Sequence, residues 1–456
     1  MSFSVTGQHV VVIGAARSGL AAVDLLVRRG ARVTLTDVKA DIDGANNLAK
    51  RGVALELGGH RPDTFLRADL IVVSPGVKLD QPVLNAARDA GIPVMGELEL
   101  ASRWLRGRVI AVTGTKGKST TTTLTGRMLE QSGFRVRLGG NIGVPLSAQV
   151  DDSTSDTLHV VEASSFQLQA TDTFHPWIAA LLNFSPDHLD QHGSIDEYAS
   201  AKAAIFRQQD SSDWAVVNAD DAPAERLALS TRARRVRYGL SLAGDGFTIA
   251  DGVIVQRHEA NATPLVPVEA VRVPGRHILS DVVAAAAISR TAGAVPDAMH
   301  AAVSAFTGLE HAMEVVDTIE GVRFVNDSKA TNIESTRRSI ESVPANLVVV
   351  MGGKYKGGDF RSLAEPLTNR GLAVVAIGEA APLIDSALAA VIRVERAGSM
   401  ADAVRTAFGL TPQGGTVVLA PACSSFDMFR DYAERGRAFK EEVRRLARER
   451  RATREQ

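Results

Sequence analysis

The chain has 456 residues, a formal net charge of −1, 45% hydrophobic residues and a single cysteine, Cys423. The balanced charge argues against a nucleic-acid-binding surface, which needs a strong excess of basic residues. One cysteine excludes an intrachain disulfide and favours a reducing compartment, and no apolar run reaches the length of a membrane span. We expect several domains, no nucleic-acid or membrane partner, and a cytoplasmic location.

The first region, predicted as a domain over residues 1–108, opens with strand, glycine turn, helix and strand in "HVVVIGAARSGLAAVDLLVRRGARVTLTD". Such continuous apolar strands are typical of a buried parallel sheet. The turn from Gly14 to Gly19 lacks the middle glycine of the dinucleotide fingerprint, which weakens a nicotinamide oxidoreductase hypothesis. A phosphate site at the helix N-terminus and a purely structural turn both stay open, and Asp37 could bond a ribose or a base.

The second region, predicted over residues 109–308, begins "RVIAVTGTKGKSTTTTLTGRMLEQSG", again a strand, a glycine loop and a helix. Its end matches the phosphate-loop pattern G-x-x-x-x-G-K-[ST], but Val112 stands where the first glycine belongs. Backbone amides of such a loop cradle phosphate, Lys118 would contact the β- and γ-phosphates, and Ser119 would offer a hydroxyl to magnesium. An ordinary glycine-rich turn and an ATP-driven motor or switch are the alternatives. The predicted nucleotide-binding residues are Gly114, Thr115, Lys116, Gly117, Lys118, Ser119 and Thr120.

Polar residues follow several later strands of this region. Glu162 ends the strand in "VVEASSFQL", and Asp187 and His188 follow the strand in "LLNFSPDHLDQHG". A single such residue is usually a satisfied loop residue, but several in one domain favour a magnesium ligand set. Lys202 lies between alanines on a predicted helix, where a lysine normally extends its amine to solvent.

The third region, predicted over residues 309–456, contains four more buried strands that end in small or polar residues. They lie in "GVRFVNDSKATN", "NLVVVMGGKYKGGDF", "AVVAIGEAA" and "TVVLAPACSSFDMF". Strands of this kind in all three regions predict an α/β fold with ligands at the carboxyl ends of the strands. The tail "KEEVRRLARERRATREQ" is expected to be a solvated, fraying helix.

Motifs in matching order along nearly the whole chain resemble those of the Mur ligase family, which uses the shortened loop G-x-x-G-K-[ST]. They are "GTKGKST", "GGNIG", "EASSFQL", "DHLDQHG", "YASAKAAIF", "NDSKATN", "GGKYKGGDF" and "PACSSFDMF…RG". The last three resemble the branch that adds D-glutamate, and argue against other ligases such as folylpolyglutamate synthases. The resemblance implies a Rossmann-like first domain, a central P-loop ATPase domain with a mostly parallel sheet, and a Rossmann-like third domain.

The implied reaction is ATP-dependent amide-bond formation between UDP-N-acetylmuramoyl-L-alanine and D-glutamate through an acyl phosphate. It belongs to peptidoglycan precursor synthesis, and so to cell-wall biogenesis, cell shape and cell division. A monomer is expected. The glutamate's chirality does not follow from the residues themselves, since a clamp of lysine and hydroxyls can hold either hand, and no residue can be assigned as the base for its amine.

The resemblance also implies roles for individual residues. Lys118, Lys202 and His188 are the expected catalytic residues, and two magnesium ions are expected on Ser119, Glu162, His188 and a carbamylated Lys202. The carbamate idea agrees with chemistry, because only a neutral amine reacts with carbon dioxide and an apolar site favours that form. The UDP-linked substrate is expected at Ser18, Asp37, Ser74, Gly76 and Asn141. Asp327 and Lys329 are expected at the nucleotide, and Thr331, Lys356, Ser425 and Tyr432 at the glutamate.

Four positions depart from the family pattern. Ala312 stands where the family usually has an arginine that reaches phosphate, and Ile278 and Asp281 stand where asparagines near the adenine are usual. Tyr432 replaces a frequent phenylalanine, which is a small change. A methyl group cannot replace an arginine, so we expect another cation to compensate. The candidates are Arg276, Arg323, Lys329, Lys354 and Lys356.

Overall fold

A computed structural model describes residues 3–42, 44–186, 192–259, 261–273, 275–355 and 357–454. These residues form three β-sheets with intervening helices. The chain divides into two compact units, Met1–Phe306 with the first two sheets and Thr307–Gln456 with the third. The predicted three-domain α/β architecture is confirmed, and the predicted boundaries after residues 108 and 308 stay predictions.

The first sheet has five parallel strands in the order β3-β2-β1-β4-β5. Alternate residues of its central strand pack into different cores: Val10 and Val12 enter one, and Val11 and Ile13 enter the other. Both faces are therefore covered, which explains the continuous apolar run. The strands are β1 (His9–Ile13), β2 (Arg32–Asp37), β3 (Ala54–Leu57), β4 (Leu70–Val73) and β5 (Val94–Gly96). The helices are α1 (Arg17–Arg28), α2 (Ala45–Lys50), α3 (Pro62–Leu66), α4 (Pro82–Asp89) and α5 (Glu97–Ser102).

The second sheet has nine strands in the order β14-β13-β12-β11-β10-β9-β6-β8-β7. It is parallel from β7 to β12 and antiparallel over the last two pairings. Its strands are β6 (Arg108–Thr113), β7 (Arg135–Gly140), β8 (Thr157–Glu162), β9 (Ile178–Leu181), β10 (Trp214–Asn218), β11 (Arg234–Tyr238), β12 (Gly246–Ala250), β13 (Val253–His258) and β14 (Asn261–Pro267). Its helices are α6 (Lys118–Gln131), α7 (Ser165–Gln169), α8 (Ile195–Ala203), α9 (Ala222–Leu227), α10 (Arg276–Thr291) and α11 (Pro296–Ser304).

The third sheet has six strands in the order β15-β16-β20-β17-β18-β19, and only the edge strand β15 is antiparallel. Its strands are β15 (Glu314–Ile319), β16 (Val322–Asn326), β17 (Leu347–Gly352), β18 (Gly371–Ile377), β19 (Arg393–Ala397) and β20 (Thr416–Leu419). Its helices are α12 (Ile333–Glu341), α13 (Ala364–Arg370), α14 (Ala381–Leu388), α15 (Met400–Leu410) and α16 (Tyr432–Arg454).

The tail helix differs from its prediction. The sequence indicated a solvated, fraying helix, but α16 buries Phe439, Val443, Leu446 and Ala447 against the core of the third sheet. These residues recur every three or four positions, so they form one apolar stripe on an otherwise charged helix. The dense charge of the tail concealed that stripe. In the described part of the chain, no helix is both long and apolar enough to cross a membrane.

Candidate active site

The glycine loop joins β6 to α6 and wraps its own lysine. Gly117 precedes the helix with a left-handed φ of 82°, which a glycine adopts without strain. A Cβ at this position would lie 2.1 Å from Oδ1 of Asp281, so the loop and α10 are in direct contact. Nζ of Lys118 donates to the carbonyls of Gly114 at 2.9 Å and Thr115 at 2.8 Å. This strand–loop–helix arrangement suits a bound phosphate, with backbone amides at the start of a helix.

Asn183 holds the glycine loop through hydrogen bonds to its backbone, and none of the sequence motifs had indicated this residue. Its Oδ1 accepts from the backbone amides of Thr115 at 3.0 Å and Lys116 at 2.9 Å, and its Nδ2 donates to the Lys116 carbonyl at 3.1 Å. Asn183 lies two residues after the end of the buried strand β9. Glu162 was predicted from its place at the end of a buried strand, and the same signal, extended by two residues, could have found Asn183.

Glu162 forms the centre of a polar cluster beside the loop. It lies at the end of β8 and is buried. Its Oε2 accepts from Oγ of Ser119 at 2.6 Å, and its Oε1 accepts from Nδ2 of Asn141 at 2.6 Å. Three residues from three separate predicted motifs thus meet at one carboxylate. An anionic carboxylate, a hydroxyl and an amide oxygen are donors that suit magnesium, so this cluster fits the expected ion.

Lys202 reaches the same loop from α8. It is 1% exposed, and its Nζ donates to the Gly114 carbonyl at 2.7 Å. The amine lies 4.6 Å from the ring centroid of Tyr198, whose hydroxyl lies 3.2 Å from Oγ1 of Thr115. The amine is therefore held inside the protein instead of extending to solvent. Asp187 and His188 lie outside the described residues, so the metal role expected of His188 stays a prediction.

Asp281 is the departure from the family pattern that the structure places at the loop. It lies in the early part of α10, is 7% exposed and packs against Gly117. Burial raises the pKa of its carboxyl to about 8, although the charge of Lys118 acts in the opposite direction. At neutral pH a carboxyl with this pKa is largely protonated, so it can donate a hydrogen bond as an amide would.

The residues expected to meet the UDP-linked substrate hold the first glycine turn. Oδ2 of Asp37 accepts from the amide of Ala15 at 2.6 Å, and the hydroxyl of Ser74 donates to the carbonyl of Gly14 at 2.8 Å. Ser18 lies in the first turn of α1 and is partly exposed. Asp37 and Ser74 thus have an observed structural task, and their contact with a ligand stays a prediction.

A large cleft of about 1060 Å³ opens within the first unit, beside the Pro-Gly turn that follows β4. The imidazole of His192 is stacked on Phe166 with ring centroids 5.0 Å apart, and its Nε2 lies 3.0 Å from Oγ of Ser165. His192 stands in the quoted motif "DHLDQHG", but the sequence reasoning gave it no role. The cleft is lined by Pro75, Gly76, Val77, Lys78, Leu79, Asp80, Asn85, Arg88, Phe166, Gln169, His192, Gly193 and Glu197.

The predicted residues of the third domain gather after β16. Asp327 is buried, accepts from the hydroxyl of Ser339 and from the amide of Met313, and its pKa is raised by burial. The backbone amide of Lys329 donates to the carbonyl of His311 at 3.0 Å. Lys329 therefore lies beside Ala312, the position where a usual arginine is replaced. The Thr331 amide donates to the Lys329 carbonyl at 2.8 Å.

Two further predicted glutamate residues follow β20. Ser425 is buried, while Tyr432 opens α16, is 41% exposed and has its ring 6.2 Å from that of His311. The carbonyl of Tyr432 accepts from the hydroxyl of Ser328 at 2.7 Å, which ties this turn to the loop after β16. Lys356 lies outside the described residues. The glutamate roles of all three stay predictions.

Comparisons with known proteins show which family the chain resembles. Family models match residues 8–96 as a Mur ligase MurD-like N-terminal domain, 112–289 as a Mur ligase middle domain and 311–423 as a Mur ligase glutamate ligase domain. The UDP-N-acetylmuramoylalanine--D-glutamate ligase of Acidobacterium capsulatum is 43% identical, with 96% of each chain covered. The ligase of the same name from Koribacter versatilis is 39% identical and covers 97% of this chain and 98% of its own.

Solved structures show the same fold at lower identity. The UDP-N-acetylmuramate-alanine ligase of Thermotoga maritima has a TM-score of 0.57 and 18% identity, covering 96% of this chain and 100% of that chain. The phosphate loop, its carboxylate cluster and the three sheets define an ATP-dependent ligase. The chain belongs to the Mur ligase family, whose members form amide bonds at the expense of ATP in peptidoglycan precursor synthesis.

Proposed function

We propose that this Mur ligase joins D-glutamate to the terminal carboxylate of UDP-N-acetylmuramoyl-L-alanine, as the printed names of its curated relatives describe for those proteins. One observation carries the proposal: the amines of Lys118 and Lys202 both donate to the carbonyl of Gly114, beside the Ser119–Glu162 pair. The Lys118 amine and the buried Glu162 carboxylate at one phosphate loop match the needs of phosphoryl transfer to a carboxylate, and Lys202 brings a second side chain to the same loop.

The first step is transfer of the γ-phosphoryl group to the substrate carboxylate, which gives an acyl phosphate and ADP. A carboxylate is a poor electrophile. Phosphorylation of one of its oxygens gives an acyl phosphate, from which phosphate can leave. The loop amides and Lys118 orient the phosphates and balance their charge. Ser119 and Glu162 would hold magnesium, which would supply further charge neutralisation at the phosphates. Asn141, hydrogen-bonded to Glu162, would keep that carboxylate in place.

Lys202 is proposed to act as a carbamate. Its neutral amine would add to carbon dioxide with loss of one proton, forming an N–C bond and a new carboxylate at the side-chain end. The support is the position of the amine, which is buried beside the Tyr198 ring and the Gly114 carbonyl, so a carbamate formed there would lie at the phosphate loop. The new carboxylate would lie at the loop and could join a second metal ion with His188.

The second step is attack of the neutral amine of D-glutamate on the acyl carbonyl, with release of phosphate. We propose that Lys356, Ser425 and Tyr432 help to hold the two glutamate carboxylates, in the loops after β17 and β20, and that Thr331 in the loop after β16 also lies at the glutamate. The support is their position at the carboxyl ends of adjacent parallel strands, where open α/β sheets bind ligands. A cytoplasmic monomer is part of the proposal, since both substrates are small and water-soluble.

The test is phosphate release by the full chain with ATP, magnesium ions and both substrates. We expect phosphate only when UDP-N-acetylmuramoyl-L-alanine and D-glutamate are both present, together with a product heavier by one glutamyl residue in mass spectrometry. Release without D-glutamate would favour an ATP-driven motor or switch instead. Equal rates with L-glutamate would refute the proposed chirality, and activity only with another amino acid would assign a different family branch.

A further inference from the structure

Arg435 is a fully buried arginine that the proposed mechanism does not use. It lies in the first turn of α16, belongs to the motif "PACSSFDMF…RG", and is 1% exposed. Its guanidinium donates to five oxygens. Nε contacts Oγ of Ser328 at 3.0 Å, Nη2 contacts the Ser328 carbonyl at 3.0 Å, and Nη1 contacts the carbonyls of Cys423 at 3.1 Å, Ser424 at 3.2 Å and Gly352 at 3.3 Å.

These oxygens belong to three different chain segments at one edge of the sheet. Ser328 follows β16, Gly352 ends β17, and Cys423 and Ser424 follow β20. The three strands are neighbours and run parallel in the order β16-β20-β17, so their carboxyl ends lie side by side. One guanidinium therefore joins the three loops at the edge where an open α/β sheet binds its ligand.

The guanidinium of Arg435 is tightly packed against the neighbouring loops. A Cβ on Gly353 would lie 2.1 Å from the Ser424 carbonyl oxygen and 3.0 Å from Nη1 of Arg435. Backbone bonds join the loops here, from the Lys354 amide to the Ser424 carbonyl at 2.9 Å and from the Ser424 amide to the Lys354 carbonyl at 3.1 Å. A displaced guanidinium would therefore move both of these loops together.

The charge of Arg435 is only partly balanced. All five acceptors are carbonyl or hydroxyl oxygens, and among the described residues no carboxylate forms an ion pair with it. Burial lowers the pKa of the guanidinium to about 10, opposed by the charges of Cys423 and Asp427, so it stays protonated at neutral pH. A buried charge without a paired carboxylate is costly to keep. The positive charge of Arg435 can therefore attract an anion that binds at this edge of the sheet.

We propose that Arg435 is a positioning residue for the amino-acid substrate. It would fix the loops after β16, β17 and β20, which include the predicted glutamate residues Thr331 and Ser425, and would favour a dianionic amino acid through its charge. The inference rests on the proposed function, since it takes that amino acid to be glutamate. It assigns Arg435 no contact with the substrate and no part in proton transfer. Arg435 acts through the loop carbonyls that it holds.

The test compares Arg435→Met and Arg435→Lys with the matched control Arg437→Met, which removes an exposed arginine two residues further along the same helix. For Arg435→Met we expect KM for D-glutamate to rise about 30-fold, while KM for ATP changes less than about threefold. Arg435→Lys should recover part of this loss, because it restores the charge but not the fork of donors. Arg437→Met should match the wild type in both constants.

Hydrogen–deuterium exchange supplies a readout that needs no turnover. Faster exchange confined to the loops after β16, β17 and β20 in the Arg435 variants supports the positioning role. A folded Arg435→Met with wild-type KM for D-glutamate would overturn the inference, as would equal rises in the KM of every substrate. Should that variant fail to fold, Ser328→Ala removes one acceptor of Arg435, together with the hydrogen bond from Ser328 to the Tyr432 carbonyl. An unchanged KM for D-glutamate in that variant would overturn the inference too. A wild type without D-glutamate-dependent turnover would instead refute the proposed function, so the two failures are distinguishable.

Discussion

The buried carboxyl of Asp281 predicts a pH-dependent stability that an asparagine at this position would remove. The carboxyl packs against Gly117, and its burial raises the pKa from an ordinary 3.8 to about 8. Between pH 3.8 and about 8, the carboxyl of Asp281 is therefore largely protonated in the folded chain and largely ionised in the unfolded chain. The protonated carboxyl contributes its full stability below pH 3.8, and this contribution is lost as the pH rises through about 8.

The size of the effect follows from the pKa difference. Each pH unit well inside the window costs about 1.4 kcal/mol, and because the folded carboxyl begins to ionise near pH 7.5, the rise from pH 5.5 to 7.5 costs about 2.5 kcal/mol. In a unit of this size about 1 kcal/mol moves the melting temperature by roughly 2 °C. The melting temperature of Asp281→Asn minus that of the wild type should therefore grow by about 5 °C over this pH range, and should level off above pH 8.

Calorimetry or tryptophan fluorescence at half-unit pH steps measures this difference directly. Asp89→Asn is the control, because Asp89 is exposed at the end of α4 and its replacement leaves the buried carboxyl of Asp281 in place. A difference for Asp281→Asn that is flat between pH 5.5 and 7.5 would refute the reasoning. It would mean that Asp281 ionises in the folded chain as readily as it does in water.

The remaining predictions concern the two lysines at the loop and the missing arginine. Lys118→Ala should lower kcat/KM for ATP by at least about 100-fold, since the loop would lose its cation; near-normal steady-state turnover would contradict its phosphate role. Lys202→Ala should be inactive and should regain part of its turnover with acetate, and full activity without added acid would contradict the carbamate. Ala312→Arg should leave kcat within about twofold if Lys329 already supplies the charge, whereas a gain of about tenfold would show that the cation is missing.

The strand-end signal explains how much of the site could be predicted. Glu162 and Ser119 come from separate motifs, and the structure joins them with a hydrogen bond of 2.6 Å. Glu162 ends β8, and Ser119 lies in the first turn of the helix that follows β6. Parallel strands bring their carboxyl ends to one edge whatever their distance in sequence. Asn183 carried the same signal. It went unrecognised because an asparagine after a strand is most often a turn residue.

Arg435 and the tail helix show where sequence patterns fail. A single arginine among many basic residues carries no periodic signature, and its burial depends on three loops that are distant in sequence. The apolar stripe at Phe439, Val443 and Leu446 has helical spacing, but the composition of the tail suggested solvent on every side. Tertiary contacts decide both cases, and these are not encoded in any one local stretch.

The carbonyl of Cys423 accepts a hydrogen bond from Arg435, and its thiol offers a separate experimental use. It is the only thiol of the chain and is buried in the core of the third domain, next to the predicted glutamate site. A thiol reagent can reach it only when that part of the domain opens. The rate of its modification in the native protein therefore measures local opening at the amino-acid site, without any label elsewhere. Ligands that close the loops should slow the modification of Cys423. The modification rate therefore reports whether the amino-acid site is occupied.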